Sequence, residues 1–521
     1  MLLSNKYILF IPLLALFISS CEQEMITYPA PPDENNDTMG PDPAAGNADF
    51  TKFVSIGASL VAGFQSGAFY QSSQDNSLPA ILNRQFAEIP GAGGGTATFN
   101  QPDINTDLGY NSLFSNPEEG EIFGRFVLTS GEVPVAALPA DASVLPAPPA
   151  VNPAFQYEGD RSALNNFAVP GITVGQALIP ETGNWSLFQQ DPRVQPYYAR
   201  FASNPGTSTV AGDMVAAQGT FFLCWLGNND VLGYAIGGAS EPSILTSPED
   251  FQTRYAGLMQ ALTTDPDIRG VVGNIADVTT IPFFTALPYN FIALDEATVE
   301  TLQPVVGGLN LALDFLVVNG VISQDEANAR KLNIQAGQNA ALIVDEELTD
   351  IGEELANTDP RLAAFAQVRQ ATPNDLIAFP AALDLATLDL TDPTAIVQAI
   401  LPDSRVLTAD EIEVIQSRVD AFNAAIPQVI ESLGLSDRVA VANTNRVLAE
   451  LSSRPQFTDG VSLDASFAPP FGSFSEDGIH PNTRGYAFVG NAFIEAINNK
   501  FGSTVPLIDV STYKGTALPA Q

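Results

Sequence analysis

The chain has 521 residues, with 59 Asp and Glu against 21 Lys and Arg, and a formal net charge of −38; hydrophobic residues make up 45% and charged residues 15%. That length and apolar fraction support a globular fold of one large or two ordinary domains and exclude a disordered chain. The acidic excess repels phosphate backbones, which excludes nucleic acid as a partner.

The first segment reads as an export signal. Lys6 precedes an apolar run at residues 7–18, too short to span a bilayer comfortably, and small residues follow up to Cys21. Ile18-Ser19-Ser20-Cys21 resembles a bacterial lipobox. That resemblance implies removal of residues 1–20, lipidation of Cys21, and a lipoprotein of the outer membrane, on its periplasmic face or at the cell surface. The alternative is an ordinary cleaved signal with an incidental cysteine. Glu22, Gln23 and Glu24 resemble a surface-export signal, and residues 21–49, rich in Pro, Asp and Asn without an apolar period, read as a flexible tether.

The folded part opens with Phe53-Val54-Ser55-Ile56-Gly57, a buried strand ending in glycine, and a helix follows near residues 78–88. Residues 91–160 are full of Gly, Pro and Ala and read as an insertion of loops and short hairpins, one near residues 124–128. Residues 166–169 form another short apolar run, closed by Pro170-Gly171, and residues 221–226 a strand ending at Gly227. Cys224 lies inside that run and reads as a small core residue. Ser247-Pro248-Glu249-Asp250 is a strong helix start, with a hydroxyl N-cap, proline at N1 and acids in the first turn. That helix should run to Leu262, before a strand at residues 269–275. Residues 295–400 read as a mostly helical insertion. Thr408-Ala409-Asp410-Glu411 is a capping box, and Ile412, Ile415, Val419, Phe422, Ile426, Val429 and Leu433 trace one apolar helical stripe that Pro427 can kink. A last strand at residues 438–442, a closing helix at residues 481–500 and a tail at residues 506–521 complete the chain. Strands alternating with helices predict a parallel sheet covered on both faces.

Four short motifs sit at strand ends. Ile56-Gly57-Ala58-Ser59-Leu60 places a hydroxyl where a helix begins; by itself it reads as a turn. The segment from Asn166 to Gly171 ends in a glycine whose N–H can approach a ligand. Gly227-Asn228-Asn229-Asp230 offers neutral amide donors. Asp477-Gly478-Ile479-His480 holds the only histidine of the chain, with a carboxylate three residues before it that can reach Nδ1. Ligands of parallel α/β sheets bind at the carboxyl ends of strands, so these pieces can converge. Together they supply what acyl transfer needs: Ser59 as nucleophile, His480 as base, Asp477 to orient it, and the amide of Ser59, the N–H of Gly171 and the side chain of Asn229 for the oxyanion.

This ordered set resembles the SGNH hydrolases, also called GDSL esterases and lipases, over residues 52–90, 160–290 and 405–500. The resemblance implies a three-layer α/β/α, flavodoxin-like parallel sheet and a Ser59, His480, Asp477 triad. The residues from Asn482 to Tyr486 also look like the family's continuation after His-Pro. Ala58 departs from the pattern, because the family usually has aspartate there.

Phe64, Phe69 and Tyr70 follow Ser59; Phe467, Phe471 and Phe474 precede the Asp–His pair; Phe283 and Phe284 follow the fourth strand. They read equally as an acyl pocket and as core. The expected activity is hydrolysis of carboxylic esters, first of acylglycerols or fatty esters, next of carbohydrate O-acetyl groups, without a cofactor. One histidine and one unlipidated cysteine nearly exclude a His/Cys zinc site, and no D-x-[DN]-x-[DN]-G calcium loop is present. The expected partners are the ester substrate and, through the lipid, a membrane. A competing expectation is a non-catalytic surface lipoprotein that binds glycans or lipids.

Overall fold

The computed structural model describes residues 41–104, 107, 109, 124–128, 134–136, 157–188, 190–385, 388, 389, 392 and 394–516. The expected signal, Cys21 and the tether up to residue 40 lie outside the described residues, as do residues 517–521 of the expected tail.

Four strands, β1 (Phe53–Gly57), β2 (Phe221–Trp225), β3 (Arg269–Gly273) and β4 (Val439–Ala442), pair in parallel in the order β1-β2-β3-β4. The segment after Leu164 adds itself to the open edge of β1. Ser55 N–H donates to the Asn165 carbonyl at 2.8 Å, Phe167 N–H to Ser55 at 2.8 Å and Val169 N–H to Gly57 at 2.9 Å. Within this stretch only Ser55 and Asn166 form a bridge, short of the full strand the apolar run suggests. The Asn166 side chain takes up Ala168 N–H at 3.0 Å, and Pro170 brings no N–H.

Both faces of the sheet are covered, and the side-chain alternation of β2 explains how. Phe221 packs on Phe86 and Phe501, and Trp225 on Phe493. The intervening Cys224 faces the opposite layer, beside Tyr255. Burial pushes the Cys224 thiol up to about 12, so it stays protonated as a core residue. The rings of β2 need room on β3. A Cβ at Gly270 would stand 2.4 Å from the Phe222 ring, and one at Gly273 would stand 2.6 Å from Trp225.

In chain order the helices that matter are α1 (Ser59–Ala62), α2 (Leu78–Ala87), α3 (Val210–Ala216), α4 (Asn229–Ile236), α5 (Pro248–Leu262), α6 (Glu296–Val318), α7 (Ala409–Ser432), α8 (Thr444–Ser453) and α9 (Thr483–Phe501). Helices α2, α8 and α9 form one outer layer; α3, α5 and α7 form the other, with Phe251 of α5 stacked on Phe422 of α7 at 4.0 Å. Ser247 caps α5 by accepting from Asp250 N–H at 3.1 Å, and Thr408 and Glu411 close a capping box on α7, which runs unbroken through Pro427.

Three expectations change. Residues 44–49 are part of the fold rather than tether: α9 leaves its last carbonyls without helical partners, and Asn47 N–H donates to the Phe501 carbonyl at 2.8 Å. Residues 506–516 are not a tail, because Asn491 of α9 clasps both backbone groups of Ile508, and Ile508 and Val510 are buried. The insertion at 295–400 is mixed rather than mostly helical. Leu342–Val344 pairs in parallel with Ile400–Leu401 and antiparallel with Val368–Gln370, over an apolar cluster separate from the main core. Within it, α6 is long and apolar enough to cross a membrane by length and composition, and Leu311, Phe315 and Val318 are exposed. The expected hairpin near residue 124 is present as Phe126–Leu128 paired with Pro134–Ala136.

Candidate active site

The carboxyl end of β1 delivers Ser59. Gly57 ends the strand because a Cβ there would stand 2.3 Å from Val61, so the chain can turn at once into α1. Ser59 is the first residue of that helix, 8% exposed, and its N–H has no intrahelical partner. Ala58 at the N-cap provides no side-chain bond. The turn is braced from the side instead: buried Asn166 donates from Nδ2 to the Val61 carbonyl at 3.1 Å and accepts from the Ser55 hydroxyl at 3.0 Å.

The end of β2 delivers the asparagines. Asn229 opens α4 and donates from Nδ2 to the Ile172 carbonyl at 2.9 Å; one amide hydrogen is left for another acceptor. Asn228 is 6% exposed and accepts from Ala276 N–H at 3.3 Å, and among the described residues its Nδ2 has no hydrogen-bond partner. Asp230 is fully buried and holds the loop after Gly171 in place, accepting from Val174 N–H at 2.9 Å and from the Thr246 hydroxyl at 3.0 Å. Burial pushes its carboxyl up to about 6 against those two donors.

The loop before α9 delivers the acid and the imidazole. Asp477 Oδ2 lies 2.8 Å from His480 Nδ1. Its oxygens also accept from the N–H groups of Ile479 and His480 at 2.8 and 2.9 Å, and from Gly67 N–H at 2.8 Å. Burial alone would raise this carboxyl; the His480 charge and the donors outweigh it and hold it below the usual carboxylate range. The bond at Nδ1 assigns the proton there in the neutral ring, which leaves Nε2 as an acceptor. The ring of Phe64 packs on the imidazole with centroids 4.9 Å apart.

These pieces meet. Ser59, Asn228, Asn229 and His480 line one pocket of about 40 Å³, walled by apolar side chains including Trp225, Leu232, Val278 and Ile281. Within it no hydrogen bond joins Ser59 Oγ to His480; such bonds are often long before substrate binds. Gly171 is not among the lining residues. It sits next to Ile172, exposed and with φ of +82°, and its N–H makes no hydrogen bond within the described residues. Of the aromatic residues flanking the motifs, Phe474 lines the pocket; Phe69, Tyr70 and Phe284 are buried packing, and Phe471 is half exposed.

The chain matches no protein-family model and no curated protein.

Sequence reasoning named Ser59, Asp477, His480 and Asn229, and the structure gathers them at one end of the sheet. It missed Asn228, Asn166 and Gly67. Asn228 had a signal, since a strand-to-helix junction with two adjacent asparagines can aim both amides at the same space. Away from this pocket, Glu346, Asp403 and Glu411 place one carboxylate oxygen each within 4.8 Å of the others, the kind of set that can hold a hard cation.

Proposed function

We propose that the protein is a serine-dependent carboxylic ester hydrolase of the SGNH type. The observation that carries this reading is the meeting of the only histidine, tied to Asp477, with Ser59 in a shared apolar pocket. The sheet supports it as well: counting the edge segment after Leu164 second in chain order, the spatial order is 2-1-3-4-5, that of a flavodoxin-like α/β/α fold.

In the first half-reaction Ser59 Oγ attacks the ester carbonyl carbon and its proton passes to His480 Nε2. The developing oxyanion takes hydrogen bonds from Ser59 N–H and the second hydrogen of Asn229 Nδ2, each such donor lowering the barrier by about 3 kcal/mol; Gly171, outside the pocket lining, would have to close toward the substrate to add its N–H. The carbon–alcohol bond then breaks, and the imidazolium returns the proton to the departing oxygen. Water repeats the sequence on the acyl-serine and releases the acid. Asp477 keeps the ring in the right tautomer throughout.

The pocket of about 40 Å³ is small and walled by apolar side chains, which favours a short acyl group, such as the acetyl of a carbohydrate ester, over a long fatty chain. Lipidation at Cys21 would keep the enzyme at the outer membrane. The test is a panel of chromogenic esters from acetyl to dodecanoyl. Wild type should turn over the short esters fastest, and Ser59→Ala should lower the rate by at least about 10³-fold. Failure of wild type on every ester would leave a non-catalytic binding lipoprotein as the better account, and turnover surviving in S59A would remove Ser59 as nucleophile.

A further inference from the structure

On the other side of the His480 loop lies a much larger cavity, of about 620 Å³, and its lining is unlike the rest of this acidic protein. Arg84, Arg125 and Lys514 converge on it from three distant parts of the chain. None of the three is in an ion pair among the described residues, although Asp and Glu outnumber Lys and Arg 59 to 21 overall. Aromatic rings hold two of them: Arg125 sits 4.7 Å over the Tyr70 ring and Arg84 5.7 Å over Tyr513. Arg84 donates only to neutral oxygens, those of the Asp75 carbonyl, the Asn76 amide and the Tyr513 hydroxyl.

Two further polar features border the same space. Thr483, the first residue of the 19-residue helix α9, lines the cavity, and its N–H makes no hydrogen bond within the described residues, whereas Arg484 N–H donates to the Lys514 carbonyl and Gly485 N–H to Asn482 Oδ1. Gln65 also lines it, only 4% exposed, and among the described residues its Nε2 has no hydrogen-bond partner. The opposing charges are Glu476, whose carboxylate takes a 2.6 Å bond from the Ser66 hydroxyl, and Asp107, which faces Arg125 and accepts from Ser72 N–H. Among the described residues, three cations stand against two acids, which leaves this part of the site electropositive.

We propose that this cavity binds a phosphate group, carried either by inorganic phosphate or by a lipid headgroup. A tetrahedral anion with several acceptor oxygens matches two guanidiniums and an ammonium converging from separate parts of the chain better than a planar carboxylate does. The proposal is independent of ester hydrolysis and is tested by binding. The full chain is titrated calorimetrically with inorganic phosphate and, separately, with glycerol 3-phosphate, alongside Lys514→Gln, Arg84→Gln and, as control, the surface variant Lys500→Gln. At least one probe should bind wild type saturably, K514Q and R84Q should each weaken it by about tenfold, and K500Q should leave it unchanged. Tighter binding of glycerol 3-phosphate assigns the headgroup as source; equal or tighter binding of inorganic phosphate assigns the free ion. The proposal is overturned if neither probe binds wild type or if both substitutions bind like it. Should R84Q fail to fold, K514Q, whose side chain is exposed, decides alone.

Discussion

Five donors converge on the two oxygens of Asp477: the His480 ring, the N–H groups of Gly67, Ile479 and His480, and the Ser475 hydroxyl. A carboxylate held this way does two things. It fixes the imidazole, and it links residues 410 positions apart, because Gly67 belongs to the segment just after the Ser59 turn. Asp477→Asn keeps the shape but offers a second donor where five already point. Hydrolysis should fall by about 10³-fold or more in steady-state assays. The variant also has a signature in stability. The Asp477 carboxyl is held below its usual range, so its contribution is present above the unfolded value and lost as pH falls through the folded one. The gap in melting temperature between wild type and D477N should therefore be widest near neutrality and close below about pH 4. A gap that stays constant down to pH 2 would contradict that assignment. The residues proposed for catalysis could be picked out in the sequence because each sits in a short motif next to a strand end or a helix start. Asn166 and Gly67 were not legible, since a bond between residues more than a hundred positions apart leaves no local pattern.

Among the elements, the long central strands and capped helices were readable for a physical reason. Strands β1 and β2 are five-residue runs buried along their whole length, and Ser247-Pro248 and Thr408 to Glu411 carry their caps in the sequence. The strands of the 295–400 insertion are two or three residues long, too short for any period to show, and their partners lie up to 58 residues away. That insertion also brings Glu346 against Asp403 and Glu411 at the start of α7. Burial first, then mutual repulsion, pushes Asp403 up to about 6 and Glu411 up to about 7. Both values are raised, so the folded chain holds protons the unfolded chain would release. The group thus costs stability progressively as pH climbs from about 4 to about 7, and the cost stays constant above that. Glu411→Gln keeps an acceptor for Thr408 N–H and so preserves the cap, while removing the charge. It should stabilise the protein at pH 8 by on the order of 1 kcal/mol, allowing for solvent screening, and by nothing at pH 4. Thermal melts at the two pH values decide it; a variant no more stable than wild type at pH 8 would refute the repulsion.

At the scale of the whole molecule, the two ends of the folded chain close on each other. Residues 44–50 run along the end of α9, where Thr504 N–H donates to the Ala44 carbonyl at 2.9 Å and the Thr504 hydroxyl to Asp42 at 2.7 Å. Phe50 is fully buried and stacks on Phe86 with centroids 4.2 Å apart, beneath the sheet residue Phe221. Composition hid this, because residues 44–49 are all small or polar and only Phe50 has a large apolar side chain to bury. A handful of backbone bonds and one ring fix it all the same. Losing a buried phenylalanine side chain typically costs about 3–5 kcal/mol. A chain that begins at Pro41 should therefore melt with the full-length protein. One that begins at Thr51 loses Phe50 and every bond to α9 and should melt several degrees lower, roughly 5 °C or more for a domain of this size. Both truncations retain Ser59 and the His480 loop, so any residual ester hydrolysis reports the site independently of the melt. Equal melting temperatures for the two truncations would mean that residues 41–50 only rest on α9, and that the stable fold begins at β1.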